Sequence, residues 1–458
     1  MMKPMQLPET FLSRTREQMR AAHIAGEDFS AFLTAYDEEP WRGVRVNQLK
    51  ITDENAYLFV IGDDHPYTPI PWCKEGFAYR EPLPLGQSLA YLQGLFYIQE
   101  PSAMSPASLL DAKPGERILD LCAAPGGKTT QIAGTMQGEG LFVANDASPT
   151  RAQALVRNIE RAGVRNAIVL MEQPRKLAER FPAFFDRVLV DAPCSGEGMF
   201  RRDPDVLKAY TANKPEACAA IQSDILRYAA AMVKPGGRLV YSTCTFNTIE
   251  NEEVIDKFLS SHNNFSLIKT KRLWPHKDIG EGHFMAVLQK TRDTADGGYI
   301  RRRNLCEANG DAGKHYPLPV ANLEIFSDFC RAYLTKEALS GHPVMHNHNL
   351  YLQPEPLTLN GLRVARSGWH VGEISKERFI PSQALAMGLH ITDARYAVDL
   401  TEANAWRYVR GESLDYNKND LPDKKPWVFV CHDTHPLGWA RFVQGRLKNH
   451  LPVGWVRP

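Results

Sequence analysis

Between residues 105 and 290, five short apolar runs alternate with helical patterns, and this alternation constrains the fold more than any other feature of the chain. The runs are RILDLC (117–122), GLFVAND (140–146), NAIVLM (166–171), RVLVD (187–191) and GRLVYS (237–242). Each is almost continuously apolar, as a strand buried on both faces must be. Between them, SPTRAQALVRNIERAG (148–163) and AIQSDILRYAAAMV (220–233) carry apolar residues at helical spacing. Such alternation predicts a parallel sheet covered by helices on both sides, a doubly wound α/β domain. Its ligand belongs beyond the carboxyl ends of the strands.

The chain has 458 residues, more than one hydrophobic core can organise, so further domains are expected. Residues 1–80 mix a helix opening, PETFLSRTREQM, with a short strand, RGVRVN, and predict a small α+β module. The catalytic domain is expected over 81–290. Residues 291–314 are polar and Gly-rich, a linker with a basic knot at Arg301, Arg302 and Arg303. Residues 315–458 return to globular patterning rich in strands, with WVFVCH (427–432) and PLGWARFV near the end.

Net charge is +1, so overall charge announces no nucleic-acid partner and any basic surface must be local. None of the eight cysteines forms a CxxC pair, which argues against zinc ribbons and thioredoxin-like motifs. The N-terminus lacks an apolar leader, and no stretch of about 18 apolar residues occurs. A cytoplasmic protein with reduced thiols, no membrane association and no obligate protein partner is expected.

DLCAAPGGKTTQIA (120–133) runs from a strand through a loop of small residues into a helix. Ala123, Ala124, Gly126 and Gly127 leave room for a ligand, and the helix after Lys128 offers free N–H groups. A nucleotide P-loop is disfavoured because Cys122 occupies its first glycine position, and the dinucleotide spacing GxGxxG is absent. S-adenosyl-L-methionine fits better, since Asp146 ends the second run where a ribose diol would lie. A ligand-free turn is the plain alternative.

Two thiols follow successive strands, Cys194 in DAPCSG (191–196) and Cys244 in STCT (242–245). A lone cysteine is usually a small buried hydrophobe, the reading given to Cys73, Cys218, Cys306, Cys330 and Cys431. A pair at the cofactor end of the sheet, one beside Asp191, points to chemistry. Carbon 5 of cytosine is a poor nucleophile, and a thiolate adding to carbon 6 makes it an enamine that can take a methyl group. Asp191 is placed to hold N3. A methyltransferase acting on an amino group would need no thiol. Cytosine methylation of DNA with Cys194 attacking, and a non-catalytic RNA-binding assembly factor, are the competing readings.

LDLCAAPGGKT, VLVDAPCSGEGMFRRDP and GGRLVYSTCTFNTIENE closely resemble the signature motifs of the Nop/Sun family of RNA 5-methylcytosine methyltransferases. YIQEPSAM (97–104) resembles the segment preceding that catalytic domain. EGHFMAV (281–287) and the tail from YVRGE to GWVRP resemble a bacterial branch acting on small-subunit (16S) ribosomal RNA. The resemblance implies a Rossmann-like class I methyltransferase domain and a PUA-like C-terminal RNA-binding region. It implies S-adenosyl-L-methionine as cofactor, and ribosomal RNA or the small subunit as partner. It assigns Cys244 as nucleophile and Cys194 to product release. It assigns cofactor contacts to Cys122, Ala123, Ala124, Pro125, Gly126, Gly127, Lys128, Asp146 and Asp191, with Asp191 also facing the cytosine. Where many members carry an Asp that reaches the adenine, this chain offers Glu172 and Gln173.

Two features suggest RNA contacts. Arg201 and Arg202 follow the Cys194 loop, where they could meet phosphate or simply form a solvated cluster. The last 38 residues hold six Lys/Arg against two Asp, interleaved with Trp427, Trp439, Phe442 and Trp455. They read either as stacking platforms or as a small β core.

Overall fold

The computed structural model describes residues 6–21, 26–51, 67–292, 319–335, 338–416, 421 and 426–457. The linker with Arg301–Arg303, and Cys306, lie outside these residues.

Helices Glu9–Ala21 and Gly26–Thr34 lead into an antiparallel sheet of β1 (Arg42–Val46), β2 (Thr68–Ile70), β3 (Cys73–Tyr79) and β4 (Phe96–Ile98), in the order β2-β3-β1-β4. The edge strand β4 comes from beyond residue 80, so this sheet reaches into the segment first allotted to the catalytic region. The two helices pack on that region: Phe11 and Phe32 are fully buried with Phe200, Phe246 and Trp274.

All five apolar runs form strands: β5 (Arg117–Asp120), β6 (Leu141–Asn145), β7 (Ala167–Leu170), β8 (Phe185–Asp191) and β9 (Val233–Thr243). They lie parallel in the order β9-β8-β5-β6-β7. Alternate residues enter opposite layers. Leu119, Val143, Ile168 and Val188 pack with Ile225 and Leu226 of helix Lys214–Met232. Ile118, Phe142, Val169 and Leu189 pack with Ile132 and Leu155 of helices Gly127–Met136 and Pro149–Arg161. This is the doubly wound, Rossmann-like architecture. The strand order reverses at β5, which opens a crevice at the carboxyl ends of β5 and β8.

Three further strands extend the sheet. β11 (His283–Lys290) pairs antiparallel with β9 and with β10 (Phe265–Leu273). β12 (His342–His346) and β13 (Asn349–Gln353) belong to another sheet, but β14 (Val364–Arg366) crosses back and pairs antiparallel with β7. Arg366 is buried there and donates to the carbonyls of Val164 (2.7 Å) and Ala167 (3.4 Å).

The C-terminal region is β-rich. β15 (Trp369–Ser375) and β16 (Arg378–Pro381) complete a sheet with β12 and β13. β17 (Ala397–Asp399), β18 (Leu414–Asp415), β19 (Trp427–His432), β20 (His435–Val443) and β21 (Arg446–Asn449) form another, ordered β17-β19-β20-β21-β18. Trp427 and Trp439 are buried with Phe429 in the core shared by these sheets, so they cannot stack on bases. Phe442 is partly buried against a second core, and Trp455 lies half-buried in the short turn Val453–Trp455.

Candidate active site

The loop after β5 turns through Gly126, whose φ of +114° suits glycine. A Cβ there would stand 3.1 Å from Leu155, and one on Gly127 would stand 3.1 Å from Gln99. Both glycines therefore answer first to neighbouring protein, where close ligand approach was expected of them. Ala123 and Ala124 are buried in the helix-side core, and the Pro125 carbonyl accepts from Asn158 (2.8 Å). Arg45 of β1 donates to the Gly127 carbonyl (2.9 Å) and the Thr130 hydroxyl (2.8 Å), which anchors the helix start.

Asp146 ends β6 and is almost fully buried. Its carboxylate accepts from the Ala124 N–H (3.3 Å) and the Ser148 N–H (3.0 Å) and pairs with Arg151 (3.3 Å). Its neighbour Asn145 ties three strand ends together. It donates to the carbonyls of Leu121 (3.1 Å) and Glu172 (3.0 Å) and accepts from the Glu172 N–H (2.9 Å).

A cavity of about 450 Å³ opens at these strand ends, lined among others by Cys122, Asp146, Gln173, Asp191, Cys194 and Cys244. Its volume is within the usual range for small-ligand sites, about 300–1,000 Å³. Glu172 is not in its wall. Its carboxylate accepts from Lys176 (2.8 Å) and the Arg363 N–H (2.7 Å), and so clasps the C-terminal segment before β14. Of the two residues offered for the adenine, only Gln173 faces the cavity.

Asp191, at the end of β8, accepts from Lys128 (2.8 Å) and from the Ser242 hydroxyl (2.8 Å), with His283 Nε2 at 3.6 Å. Burial opposes its charge, but Lys128 and His283 outweigh burial and hold the carboxyl well below the usual carboxylate range. Lys128 is correspondingly raised: burial works against its ammonium, and Asp191 more than compensates. Asp191 is thus an ionised acceptor at the cavity wall.

The two thiols meet, with Cys194 Sγ 3.3 Å from Cys244 Sγ. Contact with the Cys244 sulfur, then burial, pushes the Cys194 thiol well above its ordinary range. Burial and the surrounding Asp120, Asp191 and Asp146 push the Cys122 thiol up as well, which leaves it no nucleophilic character.

Buried carboxylates hold the thiols in place. Glu197, after Cys194, accepts from the Thr245 hydroxyl (2.5 Å), the N–H groups of Phe246 (2.9 Å) and Asn247 (3.0 Å), and the Tyr210 hydroxyl (3.0 Å). Glu250, after Cys244, accepts from the Ser195 N–H (2.8 Å), Gln222 (2.9 Å) and Asn247 (2.8 Å). Each loop thus carries an acid that binds the other loop. Glu197, Glu250, His283 and Asn145 were not singled out from sequence. The signal was present as charged or polar residues set among apolar and small ones in CSGEGMF, NTIENE, EGHFMAV and FVAND.

The expected phosphate contact at Arg201 and Arg202 is not made available. Arg201 forms a buried two-pronged pair with Glu281 (2.7 and 3.0 Å) and donates to the Ala35 carbonyl. Arg202 donates to the Trp41 carbonyl (2.7 Å). Both arginines fasten the N-terminal module to the catalytic loop.

Asp120, at the end of β5, is fully buried with one oxygen bonded to the Thr129 hydroxyl (2.8 Å) and the other unpartnered. Burial raises its pKa to about 7, against the Thr129 hydrogen bond and with help from Asp191. A carboxyl raised on folding costs stability as the unfolded form ionises, so stability is lost from about pH 4 to about pH 7. Asp120→Asn removes this titration. Its stability relative to the parent should improve by roughly 2 kcal/mol between pH 5 and pH 7.5. Parallel melting curves at those pH values check this, and a pH-independent difference would contradict it.

A doubly wound sheet with a cavity at its switch point, an acid ending the second strand and two apposed thiols in the cavity wall is the architecture of a class I methyltransferase domain. The comparisons make the family specific. Residues 107–301 match the family described as 16S rRNA methyltransferase RsmB/F, and 7–101 match the N-terminal domain of 16S rRNA methyltransferase RsmF. Residues 328–389 match the RsmF first C-terminal domain, and 395–457 the RsmF PUA domain. Ribosomal RNA small subunit methyltransferase F of Escherichia fergusonii is 33% identical over 475 residues, covering 98% of this chain and 96% of its own. Its Vibrio campbellii counterpart is 33% identical over 473 residues, covering 98% of both chains. A methyltransferase homolog from Pyrococcus horikoshii of known structure is 30% identical, with a TM-score of 0.53, over 62% of this chain and all of that one. The chain belongs to the RsmF family of ribosomal RNA methyltransferases.

Proposed function

We propose that this protein methylates carbon 5 of cytosine in small-subunit ribosomal RNA, with Cys244 as covalent nucleophile and S-adenosyl-L-methionine as methyl donor. The observation that carries the reading is the pair of thiols at 3.3 Å in the wall of the cofactor-sized cavity, beside an ionised Asp191. Asp146 offers buried carboxylate oxygens for ribose hydroxyls, Gln173 an amide for the adenine, and Cys122, alone of the 122–128 loop, a place in the cavity wall. S-adenosyl-L-methionine, when bound, supplies the electrophilic methyl sulfonium.

The Cys244 thiolate forms a bond to carbon 6, and the ring electrons move to carbon 5, which then takes the methyl group. N3 takes a proton from solvent as the thiolate adds and gives it back when the ring is restored; Asp191, held in place by Lys128 and Ser242, accepts the hydrogen bond of that N3–H. A solvent water entering the open cavity then takes the C5 proton, the electrons of that C–H bond form the C5–C6 double bond, and the Cys244–C6 bond breaks with its electron pair leaving on the Cys244 sulfur as thiolate. Cys194, in contact with the Cys244 sulfur, is the group placed to assist that release. The chemistry explains why both thiols share one cavity.

RNA labelled with tritium at cytosine carbon 5 tests the reading. Tritium should appear in water only with the methyl donor present, one for each methyl incorporated. Methyl incorporation without tritium release would place the methyl elsewhere. Asp146→Ala should weaken donor binding by about 1.5–3 kcal/mol, as expected when an acceptor of charged hydrogen bonds is lost. Unchanged calorimetric affinity would remove Asp146 from the ribose site. We assign the surrounding regions, residues 1–80 and 315–458, to RNA binding around the catalytic domain, and the protein to the cytoplasm. Among the described residues no helix is long and apolar enough to cross a membrane.

A further inference from the structure

Helix Pro149–Arg161 buries Ala152, Leu155 and Ile159 in the catalytic core. At 100° per residue, its outward face carries Arg151, Ala154, Arg157, Asn158 and Arg161 within about a third of a turn. Arg151, at the start of the helix, lines the catalytic cavity. At the other end a second cavity of about 310 Å³ lies between this helix, the N-terminal module and the C-terminal tail. Its wall includes Tyr91, Arg157, Asn158, Arg161, Trp455 and Arg457, and among the described residues no Asp or Glu. Arg161 lies 4.6 Å over the Tyr91 ring, and the tail is pinned by the Arg457 N–H donating to the Val409 carbonyl (2.9 Å).

Three guanidinium groups without an acid in the wall, beside two aromatic rings, match the chemistry of a nucleic-acid strand: phosphates for the arginines and a base or ribose for the rings. The helix connects this groove to the catalytic cavity over about 15 Å, the span of about four stacked nucleotides. We infer that the RNA strand flanking the target cytosine runs along helix Pro149–Arg161 and lodges its backbone in the groove of Arg157, Arg161 and Arg457. The inference rests on the proposed RNA methyltransfer. It explains why a basic surface is absent from the net charge: the arginines are contributed by two distant parts of the chain and become a cluster only in the fold.

The test uses the full-length protein and a fluorescein-labelled single-stranded RNA of about 20 nucleotides, titrated at several salt concentrations. Arg157→Gln/Arg161→Gln/Arg457→Gln should bind at least about tenfold more weakly at moderate salt, with a log–log salt slope shallower by about 2, from about 0.7 per lost phosphate contact. Arg157→Gln/Arg457→Gln, which keeps Arg161 on Tyr91, guards against misfolding and should show about two-thirds of that slope change. Both variants should bind S-adenosyl-L-methionine as the parent does. Unchanged RNA affinity and slope in both variants, with the parent binding RNA, would overturn the inference. A parent that binds RNA through these arginines yet transfers no methyl would keep the groove and defeat the catalytic proposal instead.

Discussion

Cys194→Ala should accumulate a protein–RNA species stable in denaturing detergent, whereas Cys244→Ala should form none and lose methyl transfer altogether. The two sulfurs stand 3.3 Å apart in one cavity, so removing either leaves the RNA path and the cofactor wall intact. What differs is environment. Contact with the Cys244 sulfur, then burial, pushes the Cys194 thiol well above its ordinary range, which disfavours it as an attacking thiolate. Cys244 is the group proposed to add to carbon 6. Without it there is no enamine, and activity should fall at least about a thousandfold, in keeping with loss of a nucleophile that acts as part of a unit. Without Cys194 addition and methylation still proceed, but release slows by about 10²–10⁴, the usual worth of a positioned proton donor or acceptor, and the adduct builds up. Trapped RNA in Cys244→Ala and none in Cys194→Ala would give the nucleophile role to Cys194, the arrangement expected of DNA-type enzymes.

Glu197→Leu should destabilise the catalytic domain by about 3 kcal/mol or more. The substitution leaves the Phe246 and Asn247 N–H groups and the Thr245 and Tyr210 hydroxyls without their acceptor in a buried setting. Each unsatisfied buried donor costs about 1–3 kcal/mol, less whatever local relaxation recovers. For a domain of this size the melting temperature should drop by about 6–12 °C. Glu197→Gln keeps one acceptor oxygen and should recover part of that loss. Because the carboxylate carries the loop of Cys244 against the loop of Cys194, surviving Glu197→Gln protein should lose turnover more than cofactor affinity. A melting temperature within a degree of the parent for Glu197→Leu would show that the loops are held by something else.

The central fold was legible because buried parallel strands have a simple signature. RILDLC through GRLVYS are almost continuously apolar, and all five became strands in the expected domain. The strands that escaped notice lack it. β10 lies at the sheet edge with residues 266–270 exposed on both faces, and carries Lys269, Lys271 and Arg272; β14 has only three residues, Val364–Arg366, whose arginine is buried against carbonyls of another domain. Pairing of that kind depends on a contact about 200 residues away in sequence, as the Arg366–Val164 bond shows, and no local pattern reports it.

The site was legible where chemistry fixes residue type. Two thiols after consecutive strands and an acid ending the second strand stand out by residue type and place, and Cys194, Cys244, Asp146, Gln173 and Asp191 do share one cavity. Less legible was what surrounds them. Glu172 and Gln173 are adjacent and similar in sequence, yet opposite in direction, because Lys176 and the Arg363 N–H draw the carboxylate away. Arg201, Trp427 and Trp439 are residue types that suit RNA but are equally suited to a buried ion pair and an aromatic core. Only the packing decides, and it assigns them to structure.

The most direct test of the account is bisulfite mapping of small-subunit ribosomal RNA from cells with and without this gene. Cytosine protection at one or a few positions should vanish when the gene is deleted. It should return with the parent sequence and fail to return with Cys244→Ala. Identical maps in all four strains would contradict the assignment of RNA cytosine methylation to this chain.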